Sequence, residues 1–452
     1  MKKIEKRALM CLLLALVLFV GLGVFCYRYY TDGDDWAAYE GNRDVYANGD
    51  LAKGALYDAN GLLLMKNSAE GTTYNESSSI RTALMHITGD KDNNVTTGAN
   101  RAFTDELIGY DFINGVYSLN NEGEDLTLTL DANVCATAYS ALGGYNGTVG
   151  VYNYKTGEII CMVSAPSYDP AYPPATPKEG SYINRFTSAT FVPGSIFKLV
   201  TSAAAIENLD DAYTWQVECT GSLDYGHGDK VTDLSVHGTV DLKKALQYSC
   251  NCYFARLSER LGAGQLEVYT EKLGLDESID INGIKTAKGT FDYPDSGIGL
   301  AWTGIGQWHD MVNPCAMMVY MGAIANDGKA VMPYIVNPSS LVGKKVKEIS
   351  TKDLNLKTKK MIDPATAASL TDMMSNNITN TYSANIFSGL DNVCGKSGTA
   401  EVGGGKEPNA WFVGFIDDPE NPYAFVVLVE NGGSGTSVAG SVANKVLQDI
   451  VY

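Results

Sequence analysis

Ser195 and Lys198 stand three residues apart and form the one S-x-x-K pattern in the chain. A serine hydroxyl becomes a useful nucleophile when a neighbouring group takes its proton. None of the four histidines lies beside a serine in a nucleophile-elbow pattern, which disfavours a Ser-His-Asp arrangement. A lysine one helical turn away can serve instead, if partial desolvation makes its ammonium less basic. The pattern therefore predicts Ser195 as a nucleophile with Lys198 as its base.

The residues around Ser195 predict the start of a helix. Pro193 and Gly194 end the preceding loop, and an apolar helical pattern runs over residues 195–207. A helix N-terminus favours developing negative charge, and its free N–H groups can bind an oxyanion. Because S-x-x-K alone occurs often by chance, this pattern needs support from elsewhere in the chain.

Two further groups of polar residues offer that support. Ser249-Cys250-Asn251 lies within an otherwise apolar helical pattern, where an idle serine and asparagine would be costly unless hydrogen-bonded. Lys396-Ser397-Gly398-Thr399 lies in a strand pattern, where the glycine allows close approach of a substrate and the lysine and hydroxyls suit a carboxylate. Ser375-Asn376-Asn377 shows that a polar patch resembling the first group can arise without function.

A second K-T-G sequence occurs at Lys155-Thr156-Gly157. It separates two apolar strand patterns at residues 147–152 and 159–163, so we interpret it as a hairpin turn.

The order of elements predicts an α+β fold with an antiparallel sheet and helices packed on it. The predicted helices cover residues 132–142, 195–207, 241–261, 314–326 and 438–451, and the predicted strands cover residues 126–130, 147–152, 159–163, 396–402, 411–416 and 423–430.

The N-terminus predicts a membrane anchor. Residues 8–27 are apolar and uncharged, and as a helix they would span roughly 30 Å, the thickness of the hydrocarbon layer. Four basic residues precede this segment and acidic residues follow it, which predicts a cytoplasmic N-terminus and an extracytoplasmic remainder. A cleaved signal peptide is the alternative, although the bulky Val24-Phe25-Cys26-Tyr27 is unlike a cleavage site. We predict three regions: an anchor (1–30), a pedestal (31–145) and a larger domain (146–452).

Composition excludes some functions. A formal net charge of −18 and the absence of a basic stripe disfavour nucleic acid as a partner. Nine cysteines occur, without a C-x-x-C pair or an evident Cys/His cluster, so we expect structural thiols and no metal site.

The ordered motifs S-x-x-K, S-x-N and K-[ST]-G resemble those of penicillin-binding proteins and class A β-lactamases. From Gly147 to the C-terminus the chain is similar to the transpeptidase domain of class B penicillin-binding proteins, also in the segments between the motifs. These segments are Gly147-Thr148, Ser167-Tyr168-Asp169-Pro170, His237-Gly238, Gly306-Gln307, Asn313-Pro314 and Ala325-Asn326-Asp327-Gly328. In the pedestal, Lys53-Gly54-Ala55-Leu56-Tyr57-Asp58 resembles the R-G-x-I-x-D signature of the family, with Lys53 in place of arginine. The short pedestal resembles that of compact, PbpA-like members.

The resemblance implies a five-stranded antiparallel sheet flanked by helices and a peptidoglycan D,D-transpeptidase activity. Lys198 would activate Ser195 against D-Ala-D-Ala, Ser249 would relay a proton, Asn251 would hold the peptide amide, and Lys396, Ser397, Gly398 and Thr399 would line the carboxylate site. The backbone N–H groups of Ser195 and Thr399 would form the oxyanion hole. The resemblance also implies stem peptides and β-lactams as ligands, no cofactor and, as a partner, a multi-pass membrane glycan polymerase. A β-lactamase or β-lactam sensor, and a non-catalytic scaffold, remain the alternatives.

Overall fold

The structure is a computed structural model that describes residues 2–39, 42, 46–47, 50–51, 53–68, 70–110, 113, 123–337, 358–382 and 386–452. The predicted pedestal, residues 31–145, is therefore described only in part.

The first element is a long, isolated helix, α1 (Lys2–Ala37). Its 36 residues extend over about 54 Å at 1.5 Å per residue, more than the hydrocarbon thickness of a bilayer. The strongly apolar part packs against nothing else in the protein. Among the described residues it is the one helix long and apolar enough to cross a membrane.

A small sheet and several short helices follow the long helix. They are β1 (Tyr46–Ala47), β2 (Asp50–Leu51), β3 (Ala55–Tyr57), β4 (Leu63–Ser68), β5 (Gly71–Tyr74), α2 (Ser78–Thr88), α3 (Ala99–Ala102), α4 (Thr104–Leu107), β6 (Asp125–Thr127) and α5 (Ala132–Ala141). The sheet has the order β5-β4-β3-β6, and β3 and β6 are parallel. Asp58, the last residue of the family-like signature, is buried and accepts hydrogen bonds from the N–H groups of Asn60, Leu62 and Ala132.

This N-terminal part is packed firmly against the rest of the chain. Arg81 in α2 donates two hydrogen bonds to the Asp169 carboxylate, at 2.6 and 2.7 Å. Helix α5, which the sequence predicts at residues 132–142, begins at the capping residue Asp131. The strand predicted over residues 126–130 is shorter in the structure, where β6 ends at Thr127. The domain boundary near residue 145 stays a prediction, since the hydrophobic core is continuous across it.

The larger part of the chain contains the remaining elements. They are β7 (Gly147–Asn153), β8 (Ile159–Ala165), α6 (Arg185–Ser188), a 3₁₀ turn (Gly194–Phe197), α7 (Lys198–Asn208), β9 (Val217–Cys219), β10 (Ser222–Gly226), β11 (Asp229–Thr232), β12 (Gly238–Val240), α8 (Leu242–Tyr248), α9 (Asn251–Leu261), α10 (Ala263–Lys272), β13 (Asp280–Ile281), β14 (Ile284–Lys285), α11 (Gly297–Thr303), α12 (Pro314–Ala325), β15 (Lys329–Val331), β16 (Thr358–Lys360), α13 (Pro364–Asn380), β17 (Val393–Ala400), β18 (Asn409–Ile416), β19 (Tyr423–Val429), a π-helical turn (Gly435–Ala439) and α14 (Gly440–Val451).

A five-stranded antiparallel sheet of order β17-β18-β19-β7-β8 forms the centre of this part, which confirms the predicted fold class. Alternate residues of β18 point to opposite faces of the sheet. On one face, Trp411 donates to the carbonyl of Val192, just before the 3₁₀ turn. On the other face, Phe412 lies against Gly440 at the start of α14. Helices therefore cover both faces, and the predicted β7–β8 hairpin has Lys155-Thr156 in its turn, as expected.

The predicted helix over residues 241–261 is wrong in one respect, because it is two helices. Asp241 caps α8 by accepting from the N–H of Lys244, and α8 ends at Ser249, which has a left-handed backbone (φ 56°, ψ 39°). Cys250 then caps α9 by accepting from the N–H of Tyr253. No glycine or proline marks this break in the sequence, so the apolar pattern reads as continuous.

Candidate active site

Ser195 lies in the 3₁₀ turn that precedes α7 and is half-buried. Gly194 has a positive φ of 56°, and a side-chain carbon there would approach the carbonyl oxygen of Thr399 to 2.8 Å. A side-chain carbon at Gly398 would similarly approach Ile196, to 2.9 Å. These two glycines let the turn carrying Ser195 lie directly against β17.

Lys198, at the first position of α7, is completely buried. Its Nζ donates to the backbone carbonyl of Ser249 and to Oδ1 of Asn251, both at 2.6 Å, and to Oγ of Ser249 at 3.2 Å. The ring of Phe254 lies 5.5 Å from the same nitrogen. The first motif (S-x-x-K) and the second motif (S-x-N) thus meet through the side chain of this lysine.

The break between α8 and α9 creates the geometry of the second motif. The left-handed conformation of Ser249 presents both its carbonyl and its hydroxyl to Lys198. Asn251 is fixed from its other end, because its Nδ2 donates to the carbonyl of Thr232 at 2.8 Å. A continuous helix would engage the Ser249 carbonyl in its own ladder, so the break frees it for the lysine.

Lys396 brings the third motif to the same hydroxyl. It lies in β17, is completely buried, and donates to Oγ of Ser249 at 3.1 Å and to the carbonyl of Ser397 at 2.8 Å. The Ser249 hydroxyl is therefore within hydrogen-bonding distance of two lysine side chains from distant parts of the sequence.

Burial changes the acidity of both lysines. It lowers the pKa of Lys198 to about 7, and the positive charge of Lys396 contributes to this lowering, whereas the carboxylate of Asp233 opposes it. Burial likewise lowers the pKa of Lys396 to about 7. Removing a cation from water without a paired anion disfavours its charged form. A neutral amine, which a general base must be, is therefore accessible near neutral pH.

The remaining residues of the third motif line the edge beside Ser195. Ser397 is half-buried, Gly398 is buried, and Thr399 is exposed. Tyr382 accepts hydrogen bonds from both the N–H and the hydroxyl of Ser397, at 3.0 and 3.1 Å. Tyr382 was not singled out by the sequence, since a single tyrosine after a helix carries no recognisable signal there.

One expected contact is not formed. Within the part of the chain that the structure describes, the Ser195 hydroxyl makes no hydrogen bond, and Lys198 directs its amine to Ser249 and Asn251 instead. The side-chain groups of Lys198, Ser249, Asn251 and Lys396 nevertheless come together beside the Ser195 turn. Catalytic hydrogen bonds often shorten only when a substrate is bound.

A cluster that the sequence does not reveal lies next to the second motif. Cys219, Asp233, His237 and Cys250 place their potential ligand atoms within 4.8 Å of one another. The expectation that the chain has no metal site stays a prediction, since these four side chains come together only in the fold. The members of the cluster are separated by 14, 4 and 13 positions, unlike the short paired spacings of familiar metal sites.

Comparison with known proteins relates this architecture to one family. The model of the penicillin binding protein transpeptidase domain matches residues 147–451. The peptidoglycan D,D-transpeptidase PbpA of Mycolicibacterium smegmatis is 30% identical over 348 residues, which are 70% of this chain and 70% of that protein.

Solved structures share the fold. The D,D-transpeptidase domain of a peptidoglycan glycosyltransferase from Eggerthella lenta superimposes with a TM-score of 0.74 at 24% identity, covering 88% of this chain and 98% of that one. Penicillin-binding protein A from Mycobacterium tuberculosis, as a ceftriaxone acyl-enzyme complex, gives a TM-score of 0.73 at 23% identity, with the same coverage. The chain is therefore a PbpA-like member of the class B penicillin-binding proteins.

Proposed function

We propose that the protein is a peptidoglycan D,D-transpeptidase that cross-links stem peptides through an acyl-enzyme on Ser195. The observation that carries this proposal is the Ser249 hydroxyl, which lies within 3.2 Å of Lys198 Nζ and 3.1 Å of Lys396 Nζ beside the Ser195 turn. A D,D-transpeptidase relative that is 30% identical over most of both chains gives independent support.

In the first step, neutral Lys198 accepts the proton of Ser195 while the serine oxygen attacks the carbonyl of a terminal D-Ala-D-Ala bond. A neutral lysine amine has two N–H donors and one lone pair. The carbonyl of Ser249 and Oδ1 of Asn251, both at 2.6 Å, are suited to take the two donors. The lone pair then remains for a serine hydroxyl.

Collapse of the tetrahedral intermediate requires a proton for the departing amine. Ser249 gives its hydroxyl proton to the amine of D-alanine and is reprotonated from Lys198, whose Nζ lies 3.2 Å away. The N–H groups of Ser195 and Thr399 stabilise the oxyanion. The close contact between the Ser195 turn and β17 brings these two backbone segments together.

Substrate binding uses the groups that the proton transfer leaves free. Asn251 employs one lone pair and one N–H in its contacts with Lys198 and Thr232, which leaves one of each for a peptide amide. Lys396, Ser397 and Thr399 receive the terminal carboxylate, and Gly398 allows the substrate to lie close to β17.

An amine from a neighbouring stem peptide completes the cycle. It attacks the acyl-enzyme carbonyl and loses a proton to Lys198, which returns that proton to the Ser195 oxygen as the ester C–O bond breaks. Every step uses side chains and backbone groups of this chain, without a cofactor. β-Lactams would acylate Ser195 in the same way and persist because the ring-opened product stays attached; the Mycobacterium tuberculosis relative forms an acyl-enzyme with ceftriaxone.

The domain organisation belongs to the same proposal. Residues 1–30 anchor the protein in the cytoplasmic membrane of a bacterium with the N-terminus inside, residues 31–145 form a pedestal, and residues 146–452 form an extracytoplasmic transpeptidase domain. Exposed, apolar α1 and its basic N-terminal flank support this orientation. As a partner we propose a multi-pass membrane glycan polymerase that supplies the strands to be cross-linked. If gently solubilised full-length protein never co-purifies with such a polymerase, this partner proposal fails.

The test is incubation of the detergent-solubilised full chain with a D-Ala-D-Ala stem pentapeptide and an acceptor stem peptide. We expect release of D-alanine together with a cross-linked dimer, and no product with Ser195→Ala. A labelled penicillin should remain bound for many minutes. Turnover of the penicillin within seconds would instead favour a β-lactamase. The absence of any labelling would favour a non-catalytic scaffold.

A further inference from the structure

An exposed tryptophan lies in a backbone conformation that bulky residues rarely adopt. Trp308 has a positive φ of 64°, and the residue is 43% exposed. Its indole Nε1 donates a hydrogen bond to Oδ2 of Asp292 at 3.0 Å, which holds the ring in place. A strained backbone and an exposed aromatic ring both cost stability, and such features persist where a binding site uses them. None of the proposed bond-making steps involves this tryptophan.

Three side chains form one exposed surface around this ring, which we call the indole platform: Trp308, His309 and Asp292. The His309 ring stacks on the indole with centroids 5.0 Å apart, and its side chain is 69% exposed. His309 Nδ1 lies 3.2 Å from the same Asp292 oxygen that accepts from the indole. A side-chain carbon at Gly299 in α11 would come within 3.3 Å of the indole, so this glycine leaves room for the ring. The platform is therefore a fixed surface of two stacked rings beside a carboxylate.

The indole platform lies close to the turn that carries Ser195. The carbonyl of Gly306, two residues before Trp308, accepts a hydrogen bond from the N–H of Gly194 at 2.7 Å. Because consecutive Cα atoms are about 3.8 Å apart, the Cα atoms of Trp308 and Ser195 lie within roughly 20 Å of each other. An extended stem pentapeptide spans about 17 Å, at roughly 3.3–3.6 Å per residue. A sugar at the far end of a donor stem peptide can therefore reach the platform while the last peptide bond lies at Ser195.

The chemistry of the platform favours a neutral, hydroxylated ring as its ligand. Aromatic rings pack well against the C–H faces of a sugar, since both surfaces are flat and apolar. The Asp292 side chain is 53% exposed, and its Oδ1 makes no hydrogen bond within the described residues, so it can accept from a sugar hydroxyl. Asp295, three positions further and also exposed, adds a second negative charge. These charges disfavour an anionic ligand such as an acidic lipid head group.

We propose that the indole platform binds a sugar ring of the glycan strand from which the donor stem peptide extends. The sugar packs on the exposed surface of Trp308 and His309, and one of its hydroxyls donates to Asp292. No covalent bond is made or broken there. The platform holds the strand while the stem peptide enters the cleft at Ser195, and it thereby selects glycan-linked stem peptides over free ones. This selection rests on the proposed function, whereas sugar binding does not.

The first experiment measures sugar binding by the full chain in a detergent without sugar groups, with a tetramer of N-acetylglucosamine as the probe and saturation-transfer NMR as the readout. We expect transfer to the sugar protons and its loss in Trp308→Gly, because glycine adopts the left-handed backbone without strain. Trp308→Tyr, which keeps an aromatic ring, should retain much of the signal. The control Tyr172→Ala, which removes an exposed ring elsewhere, should leave it unchanged. No transfer, or equal transfer in Trp308→Gly, would overturn the site.

A second measurement separates sugar binding from the catalytic proposal. It compares D-alanine release from a stem pentapeptide linked to the amino-sugar disaccharide of the glycan strand with release from the free pentapeptide. We expect a KM roughly fivefold lower for the linked substrate, comparable to one aromatic contact, and equal KM values in Trp308→Gly. A preference that survives in Trp308→Gly, or no preference in the unaltered chain, would refute the role in substrate selection. Absence of D-alanine release from both substrates, with sugar binding intact, would refute the proposed function and leave the sugar site.

Discussion

Helix α7 (the helix side) and strand β17 (the strand side) each bring one buried lysine to the hydroxyl of Ser249. These lysines, Lys198 and Lys396, differ in their surroundings. Lys198 has three protein acceptors, two of them at 2.6 Å, and an aromatic ring nearby. Lys396 has two acceptors among the described residues, at 2.8 and 3.1 Å. An ammonium offers three donors, so the strand lysine retains one for a ligand.

This difference separates two tasks that the residue type alone does not distinguish. The helix lysine is held in a fixed position with few donors to spare, which suits proton transfer with Ser195 and Ser249. The strand lysine has a free donor on the edge that carries Ser397 and Thr399, which suits a carboxylate, and a bound carboxylate would favour its charged form. Substituting one lysine at a time tests whether the two tasks are separate.

The largest effect is expected from Lys198→Met, which removes the amine and keeps much of the volume. Penicillin acylation should slow by roughly 10³-fold or more, within the range found for general bases. Stopped-flow or gel-based labelling measures this rate, and Lys244→Met on the exposed face of α8 is the control. If the folded variant loses less than tenfold in acylation rate, Lys198 is not the base.

Lys396→Met should slow acylation by a smaller factor, roughly 10²-fold, comparable to loss of one charged contact in a transition state. The diagnostic readout is the ratio of rates for a penicillin and its methyl ester, which lacks the carboxylate charge. That ratio should fall towards one in Lys396→Met. It should stay unchanged in Lys198→Met and in the exposed-lysine control Lys406→Met. A preserved ratio in Lys396→Met would show that the carboxylate binds elsewhere.

The pH dependence of acylation should also distinguish the two lysines. Because the pKa of Lys198 is lowered to about 7, its neutral form increases as the pH rises through that value, and acylation should increase with it. The charge of Lys396 contributes to the low pKa of Lys198, so Lys396→Met should move the midpoint of the residual activity to higher pH. A midpoint that stays in place or moves down would contradict the coupling between the two sides.

The smallest effect is expected from Tyr382→Phe on the strand side. This change removes the acceptor of the Ser397 N–H and hydroxyl, at a cost of about 1 kcal/mol, or roughly fivefold in an equilibrium. The acylation rate should fall by a similar factor, and the ratio of rates for a penicillin and its methyl ester should decrease slightly. Thermal unfolding monitored in parallel distinguishes a local effect from general destabilisation, and a loss above 10²-fold would give Tyr382 a larger role than positioning.

The sequence predicted the parts of this site whose signals are local. The five strands of the sheet and the turn at Lys155 follow from periodicity and turn residues, whereas the ordered motifs and their roles follow from the resemblance to the family. The break at Ser249 could not be read from the pattern, because its cause is distant: the freed carbonyl is bound by Lys198, 51 positions away. The Cys219 cluster is similar, since four elements assemble it only after β9, β11, β12 and the α8–α9 junction have packed.

Ser195 becomes reactive because these distant segments meet beside it. The most direct test is incubation of the full chain with fluorescent penicillin, followed by mass mapping of the modified peptide. We expect a single adduct on Ser195, and none in folded Ser195→Ala. An adduct on another residue, or labelling that survives in Ser195→Ala, would contradict the account.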